Sequence, residues 1–476
     1  MPSSNSLERL LDRMEAAKRQ FGSARASDQL AEILTALGRR RFPEARSLVR
    51  FHEALLFFRA YPSNAGILRL TDRLLASFPE RIALLRRTGA DLEAFEQPEV
   101  SGISGTGLSA VFTYDMARWL VRHHPDSLDI DWDGSDPALL GPLLSRLDPN
   151  FAEDALVEAN IPFLDWFRAA KGKAQVSDLR WLISRLEKVP LPSDVIADLY
   201  AHAELALRWD LDNMPTTRTS LRLPAARRFF YHTTPLLRRA DVSLDAELRS
   251  PPFEIAKLSR AHGQRMLDLA RETSAMRFRE LHGFTYGDPS KVYRAELGRG
   301  VEVFVADVLP EHRLPVRTYH AGMFFKNAVP VGYIETLTFR RQMEVGFNLY
   351  YTFRDGETAW LYGRLLRLFQ QLIGVTLFIV DPYQLGLHNE EAIDSGAFWF
   401  YRKLGFRPTD TGVAKLLETE EKRLRGRPDY RTPARTLRRL AAGWMVYGAG
   451  DRVDVRHKIR DSILKYRFSS PGGREK

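Results

Sequence analysis

The chain has 476 residues, of which 44% are hydrophobic and 27% charged, and it contains no cysteine. This composition is typical of a folded globular protein, and the length predicts two or three domains. The lack of cysteine excludes disulfides, thiolate catalysis and cysteine-ligated zinc sites. The formal net charge of +10 is uneven, because residues 411–476 hold 17 Lys and Arg against 8 Asp and Glu.

The hydropathy pattern gives no membrane-spanning segment. The N-terminal stretch is polar and lacks the apolar core of a signal peptide. The longest apolar run is interrupted by Arg364 and Arg367. We therefore expect a soluble, cytoplasmic protein.

The first 220 residues show helical spacing of apolar residues. Leu30, Ile33, Leu34 and Leu37 form one such stripe, and further stripes follow between Pro and Gly residues without a fixed repeat length. We predict an irregular, all-helical domain over 1–220, with a boundary in the Pro-punctuated stretch that precedes residue 221.

Two stretches of this domain resemble parts of ligand-binding loops. A glycine-rich stretch at 102–107 precedes a helical pattern, but the Gly-Lys-Ser/Thr ending of a nucleotide loop is missing. An acidic stretch at 129–136 opens like a calcium loop, but Leu140 stands where that loop needs its bidentate glutamate. A flexible helix entry and a capping turn explain both stretches, and we predict no metal site.

Residues 221–410 change character, with runs of strands first and then strands alternating with helices. One strand pattern covers 331–339, the next covers 344–353, and a helical pattern then ends at Gly374. Earlier residues predict a strand at 301–308 and a hairpin turning at Lys326-Asn327. A buried strand pattern at 376–381 and a helix ending at Gly405 complete the domain. This order predicts an α+β or α/β fold with at least one parallel crossover.

The helix before Gly405 carries the most specific motif in the chain. Residues 397–406 read AFWFYRKLGF, and with the preceding order of strands and helices this sequence resembles the GNAT superfamily of acyl-CoA-dependent N-acyltransferases. The resemblance covers well under half the chain and implies a GNAT-like mixed sheet over 221–410. It also implies that Tyr401 lies near the thioester sulfur and protonates the leaving thiolate. A neutral phenol suits that role; core packing of the Tyr401 ring is the alternative.

The same resemblance implies a donor site for acetyl-CoA or another acyl-CoA at residues 354–359. Arg354 and Ala359 have the spacing of the family's pyrophosphate loop, and Gly356 and Thr358 complete the candidate set. Gly356 lies one position early, however, and the next residue is an acidic Glu357 that opposes an anion. Helix capping is the alternative role of this loop.

Two further roles complete the expected site. The resemblance implies a pantetheine contact from Asn389, for which an N-cap is the alternative. An acceptor base is expected on the strands beside the cleft, where Glu335 is the first choice and Glu344 the second. Backbone amides near 350–353 are expected to stabilise the oxyanion.

The sequence therefore predicts an acyltransferase with an amine acceptor of unknown identity. One alternative is a catalytically degenerate GNAT-fold binding or scaffold protein, and another is a transferase whose donor is borne by a carrier protein or tRNA. The basic, partly helical tail at 411–476 is expected to be a solvated surface or to contact an anionic partner such as nucleic acid.

Overall fold

The computed structural model of the protein describes residues 2–147, 161–212, 214–223, 229–427 and 429–448. Over these residues the fold is mixed α+β. A nine-stranded sheet and a separate three-stranded sheet are packed against helices. No helix in the described ranges has the length and apolarity needed to cross a membrane.

The chain begins with five helices that have apolar faces. Ser23 and Asn64 are side-chain N-caps, each accepting a hydrogen bond from a backbone N–H three residues on. The predicted stripe at 30–37 is buried. The five helices are α1 (Pro2–Ala17), α2 (Ala24–Gly38), α3 (Ala45–Ala60), α4 (Ala65–Leu75) and α5 (Phe78–Arg87).

The expectation of an all-helical N-terminal domain is wrong, because the next region contains an antiparallel sheet in the order β1-β3-β2. Each strand has only three to five residues, too few for an alternating pattern to stand out against the flanking helices. The elements are β1 (Gly107–Val111), α6 (Tyr114–His123), β2 (Leu128–Ile130), α7 (Gly141–Leu147), α8 (Phe163–Lys171), α9 (Asp178–Leu186), α10 (Ser193–His202) and β3 (Ala206–Asp210).

The large sheet has the strand order β11-β12-β10-β9-β8-β7-β6-β5-β4. All its neighbouring strands are antiparallel except β9 and β10, which are parallel and joined through a helix, as the strand–helix alternation predicts. The elements are α11 (Leu244–Leu248), β4 (Ile255–Lys257), α12 (Arg260–Ala275), α13 (His282–Thr285), β5 (Gly287–Gly298), β6 (Val301–Val308), β7 (Thr318–Lys326), β8 (Val329–Phe339), β9 (Gln342–Leu349), α14 (Thr358–Ile373), β10 (Leu377–Val380), α15 (Pro382–Leu385), α16 (Glu390–Asp394), α17 (Ala397–Lys403), β11 (Arg407–Pro408), α18 (Thr411–Gly426), α19 (Ala434–Leu440) and β12 (Met445–Gly448).

Several predicted elements are confirmed, and three differ. The hairpin turns at Asn327 and Ala328, both with positive φ, and α14 ends at a left-handed Gly374. The strand expected at 344–353 ends at Leu349, and a 3-10 turn follows. The last helix is split into α16 and α17 by a left-handed Gly396. The expected tail is partly sheet, because β12 pairs with β10 and β11; residues 449–476 of that tail lie outside the described residues.

The hydrophobic cores do not divide the chain at residue 220, where a domain boundary was expected. The largest core joins α1 to α5 with both faces of the large sheet and its helices. A second core belongs to the region of 108–211, together with the end of α12. The first five helices are therefore packed as part of the sheet structure.

Candidate functional site

One face of the large sheet carries a strip of polar side chains on β7, β8 and β9, which we call the Glu335 face. Glu335 is paired in register with Ala321 on β7 and with Gly346 on β9. Gly346 has no side chain and leaves space on the β9 side of the carboxyl group, whereas Ala321 on the β7 side is buried beneath Gly283 of α13. A Cβ built on Gly346 would meet only Glu335 and Gln384 within 4 Å. The face is thus open beside the carboxylate predicted to be the acceptor base.

The Glu335 carboxyl group is partly buried and hydrogen-bonded. The Tyr319 hydroxyl donates to it. Burial raises the pKa of Glu335, and the hydrogen bond from Tyr319 opposes this shift only in part. A carboxylate with a raised pKa, fixed by a phenol and reachable from solvent, is suited to accept a proton from an amine.

The second base candidate, Glu344, lies on the same face. It is two residues from Gly346 on β9, which places it diagonally from Glu335 at a Cα separation of roughly 7–8 Å. Burial raises its pKa too, but Arg317 forms an ion pair with it at 3.3 Å. The ion pair engages this carboxylate, so Glu335 is the better placed of the two.

The sheet opens beside this face. Strands β9 and β10 are paired only over residues 342–344 and 377–379, although β9 continues to Leu349. Beyond Glu344 the β10 side of β9 has no strand partner among the described residues. The side-chain nitrogen of Gln384 on α15 would lie 4.0 Å from a Cβ built on Gly346, which is an ordinary van der Waals distance. A substrate group can therefore approach the sheet between these two strands.

The inner end of the Glu335 face is buried and contains two tyrosines. Asn348 donates to the Tyr333 hydroxyl at 3.2 Å. The rings of Tyr333 and Tyr350 are 6.3 Å apart, and the guanidinium of Arg277 lies 4.2 Å from the Tyr350 ring centroid. Burial raises the pKa of Tyr333 to about 12, which keeps its phenol neutral.

Tyr401 lies on the other side of the sheet. Its ring is 4% exposed and packs against Tyr362, Phe400 and Phe406. Tyr362 in turn contacts Phe347, whose side chain points away from the Glu335 face. Burial raises the pKa of the Tyr401 phenol, so it is a neutral proton donor. Packing and a proton-donating role are both compatible with this geometry.

The loop predicted to bind pyrophosphate has most of its polar groups engaged within the protein. Arg354 forms an ion pair with Glu391, and Asp355 forms one with Arg19 at 3.2 Å. The Thr358 hydroxyl donates to the carbonyl of Arg354 at 3.2 Å. These contacts hold the loop against α16 and the N-terminal helices.

Tyr61, directly after α3, covers the start of α14. A Cβ on Gly356 would lie 2.4 Å from the Tyr61 hydroxyl, so only glycine allows this approach. The backbone N–H of Glu357 donates to the same hydroxyl. Free amides at a helix start are the groups that bind phosphate, and here a protein oxygen takes one of them. Ala359 is buried.

The side chain of Glu357, which the sequence presents as a repulsive charge, is 2% exposed and paired internally. Its carboxylate binds Arg299 at 2.5 Å and Lys326 at 3.4 Å, and it accepts from the N–H of Leu237. We call these three side chains (Glu357, Arg299 and Lys326) the Glu357 cluster. Burial lowers the pKa of Lys326 to about 7, with Glu357 opposing the shift.

Asn389 acts as the N-cap of α16. Its side chain accepts from the N–H of Ala392 at 3.1 Å and donates to the carbonyl of Tyr383 at 3.2 Å. The backbone amides expected as an oxyanion site are partly used as well. Those of Tyr350 and Phe353 donate to the carbonyls of Val331 and Tyr350.

Sequence reasoning missed the residues that the fold brings to the site from far away in the chain. Tyr61 reads as an ordinary helix end, and Arg277 as one of many arginines in a helical stretch. Lys326 had a signal, since it stands in an otherwise apolar strand pattern next to a turn. Its burial depends on Glu357, which is 31 residues away.

No group of three or more His, Asp or Glu residues in the described ranges is arranged to hold a metal ion. Comparison with models of protein families, with curated proteins and with solved structures found no match to this chain.

Proposed function

We propose that this protein is an N-acyltransferase of GNAT-like fold in which Glu335 is the acceptor base. The observation that carries the proposal is the position of Glu335, partly buried and hydrogen-bonded to Tyr319, beside the place where β9 and β10 separate. An amine that reaches this opening meets a carboxylate of raised pKa. The resemblance of residues 397–406 to the GNAT motif agrees with this arrangement.

The reaction consists of attack by the amine nitrogen on the carbonyl carbon of an acyl thioester. Glu335 takes the proton that the nitrogen loses as the C–N bond forms. The C–S bond breaks, and the thiolate receives a proton from the neutral Tyr401 phenol. Because Glu335 and Tyr401 lie on opposite sides of the sheet, a thioester held between β9 and β10 is the arrangement that brings both within reach.

The expected donor is acetyl-CoA or another acyl-CoA, and the loop at 354–359 sets a condition on it. The Tyr61 hydroxyl accepts a hydrogen bond from the N–H of Glu357. Asp355 forms an ion pair with Arg19, and Glu391 forms one with Arg354. A pyrophosphate can bind at this helix start only by displacing Tyr61 and pairing with Arg354. A donor borne by a carrier protein or tRNA has no need of this loop.

A second candidate is a binding or scaffold protein of the same fold without catalysis. The feature in its favour is the Glu357 cluster, which ties the donor loop to the sheet, while Tyr61 packs the same loop against the N-terminal helices. In such a protein the loop is structural and Glu335 has no substrate.

Calorimetric titration with acetyl-CoA and a long-chain acyl-CoA tests the donor. We expect saturable binding that Arg354→Glu removes and Tyr61→Phe strengthens, because the variant frees the Glu357 amide. Lack of binding of both ligands to all three proteins at about 1 mM, equivalent to about −4 kcal/mol, would exclude the CoA-dependent form.

Release of thiol from the bound acyl-CoA, in the presence of a panel of amines, tests catalysis. A thiol reagent gives no background here, because the chain has no cysteine. We expect Glu335→Gln to lower the rate about 10²- to 10⁴-fold, and the matched variant Glu344→Gln to lower it much less. Binding of acyl-CoA without thiol release for every amine would favour the scaffold protein.

A further inference from the structure

Arg277 is a buried cation without an acidic partner. It is 5% exposed, and no carboxylate among the described residues forms an ion pair with it. One guanidinium nitrogen donates to the carbonyl of Thr273 at 2.8 Å at the end of α12, while Nε is buried without a hydrogen-bond partner. An isolated charge in the protein interior costs several kcal/mol unless an anion compensates it, so this arrangement is expected to have a use.

Glu53 is close enough to Arg277 to oppose the lowering of its pKa by burial, but its carboxylate is already engaged. Glu53 on α3 binds His52 through one oxygen at 2.9 Å, and Arg218 and the Thr352 hydroxyl through the other. Burial lowers the pKa of His52 and leaves it neutral. One carboxylate thus faces the two arginines Arg218 and Arg277, and one positive charge is left over. We call Arg277, Arg218 and Glu53 the Arg277 cluster.

A buried arginine elsewhere in the molecule shows what a compensated site looks like. Arg367 lies 3.7 Å from the ring centroid of Phe253, a closer contact than that between Arg277 and Tyr350. It is also buried, but its Nε lies 3.1 Å from Glu247. Stacking on an aromatic ring therefore does not by itself account for the missing anion at Arg277.

The unpaired charge lies at the end of the Glu335 face. Tyr350 separates Arg277 from Tyr333, and the Tyr350 hydroxyl is buried without a partner. Arg279 follows two residues later and is exposed. Its guanidinium donates a hydrogen bond to the Tyr333 hydroxyl, and its charge opposes the rise that burial causes in the pKa of Glu335. Contacts through the rings of Tyr350 and Tyr333 thus link Arg277 to the neighbourhood of Arg279 and Glu335.

We propose that Arg277 and Arg279 bind a carboxylate or phosphate group of the acceptor, so that the substrate is an amine that also carries an anion. The inference rests on the proposed function for the role of Glu335. The amine lies at Glu335, and the anionic group extends toward Arg279 and the buried end of the face. Guanidinium groups suit both anions, because their N–H groups match the spacing of two carboxylate or phosphate oxygens. The anion also supplies the negative counter-charge for the Arg277 guanidinium.

The test is the thermal stability of the full-length protein in inorganic phosphate and in acetate, each compared with chloride at equal ionic strength. A ligand that binds only the folded state raises the melting temperature. We expect phosphate, acetate or both to raise the melting temperature of the wild type above the chloride value. Arg277→Met is expected to weaken the apparent affinity about tenfold or more, a loss equivalent to about 1.4 kcal/mol. Arg367→Met, which removes the compensated arginine, is the matched control and keeps the effect of the anion.

Arg279→Gln serves as a second variant, because this exposed side chain can be replaced without harm to the core. It is expected to weaken the same response even if Arg277→Met does not fold. A response to phosphate alone identifies the acceptor group as a phosphate, and one to acetate alone as a carboxylate. Equal melting temperatures in the three salts, or an undiminished response in both Arg277→Met and Arg279→Gln, would overturn the inference.

The outcome is separable from that of the proposed function, because the anion titration uses no thioester. An anion effect that depends on Arg277 in a protein without acyltransferase activity would refute the catalytic proposal alone. Acylation of neutral amines at a rate unaffected by Arg277→Met would refute the acceptor inference alone.

Discussion

The Glu357 cluster and the Arg277 cluster both lie where the N-terminal helices meet the large sheet, and both combine one carboxylate with two cations. All their side chains are buried except that of Arg299, which is partly exposed. They differ in how completely their polar groups are paired. Glu357 contacts both Arg299 and Lys326 directly, and the Lys326 ammonium also donates to the carbonyl of Arg299. Glu53 contacts Arg218, but Arg277 has no ion pair among the described residues.

The difference indicates what each cluster is for. In the Glu357 cluster both cations contact the carboxylate directly, so its own contacts close it. Arg277 has no such contact with a described residue, and we propose an anion as its partner. The sequence alone favours the opposite interpretation, since the loop containing Glu357 carries the resemblance to a ligand-binding motif. Four predictions test the comparison.

Loss of the central carboxylate should have the largest effect in the fully paired cluster. Glu357→Gln leaves the buried Lys326 and the partly exposed Arg299 without a counter-charge, and we expect it to destabilise the fold by about 3–5 kcal/mol. Urea denaturation measures this loss. Glu391→Gln, which removes an exposed carboxylate paired with Arg354, is the control and should have a much smaller effect. Equal losses in the two variants would mean that the Glu357 cluster is no more integrated than a surface ion pair.

The second prediction concerns coupling in the Arg277 cluster. Glu53→Gln is expected to cost about 3 kcal/mol, because Arg218 then loses its partner. Arg277→Met in the same background should restore part of this, since it removes a second buried positive charge. A double-mutant cycle by urea denaturation should give a coupling energy of about 1–3 kcal/mol. Additive effects would show that Arg277 and Glu53 do not interact electrostatically.

The third prediction tests the contact that covers the donor loop. A methyl group at Gly356 would collide with the Tyr61 hydroxyl and with the ring carbon that bears it, at 2.4 and 2.5 Å. Gly356→Ala should therefore cost about 2 kcal/mol, and the cost should fall in a Tyr61→Leu background, where the ring is absent. Thermal unfolding of the two single variants and the double variant measures the difference. If Gly356→Ala destabilises the protein equally in the Tyr61→Leu background, the destabilisation does not come from a collision with Tyr61.

The smallest effect is a pH dependence near the Glu357 cluster. Burial, with Lys326 and Arg299 nearby, lowers the pKa of His232 to about 2. The unfolded chain therefore binds a proton near pH 6.5 that the folded chain does not, so stability falls as pH falls below 6.5. For this residue the loss is about 1.4 kcal/mol at one pH unit below that value. His52 and His320 shift in the same direction, so the measurement is the difference between wild type and His232→Phe from pH 7 to 5. Parallel curves would show that the pKa of His232 is the same in the folded and the unfolded chain.

The sequence predicted the elements whose signal is local. The apolar spacing and final glycine of α14, the buried run of β10 and the positive-φ turn of the β7–β8 hairpin are confirmed, because each is encoded within about 20 residues. The short strands β1 to β3 were missed, since three to five residues carry little periodicity. The split at Gly396 was not predicted, because the Ser395-Gly396 pair is the only local interruption of the helical pattern.

The site was predictable only in part, for a physical reason. Alternation along β8 placed Glu335 on one face, but it did not show where that face was open, because the opening depends on Gly346 in the neighbouring strand. Glu357 was interpreted as a charge that opposes a bound anion or as a helix cap, since its partners Arg299 and Lys326 and its cover Tyr61 lie far away in sequence. Charges that are neutralised by tertiary contacts have the same local pattern as charges that face water.

The shared core of α1 to α5 and the large sheet has a consequence for how the chain matures on the ribosome. Residues 2–87 leave the exit tunnel first, yet the surface that covers their apolar stripes includes β8 and the turn at Tyr351–Phe353, made more than 240 residues later. At about 5–20 residues per second this delay is roughly 10–50 seconds. For that interval the nascent helices expose leucine and phenylalanine faces, which makes them substrates for holding chaperones until the sheet emerges.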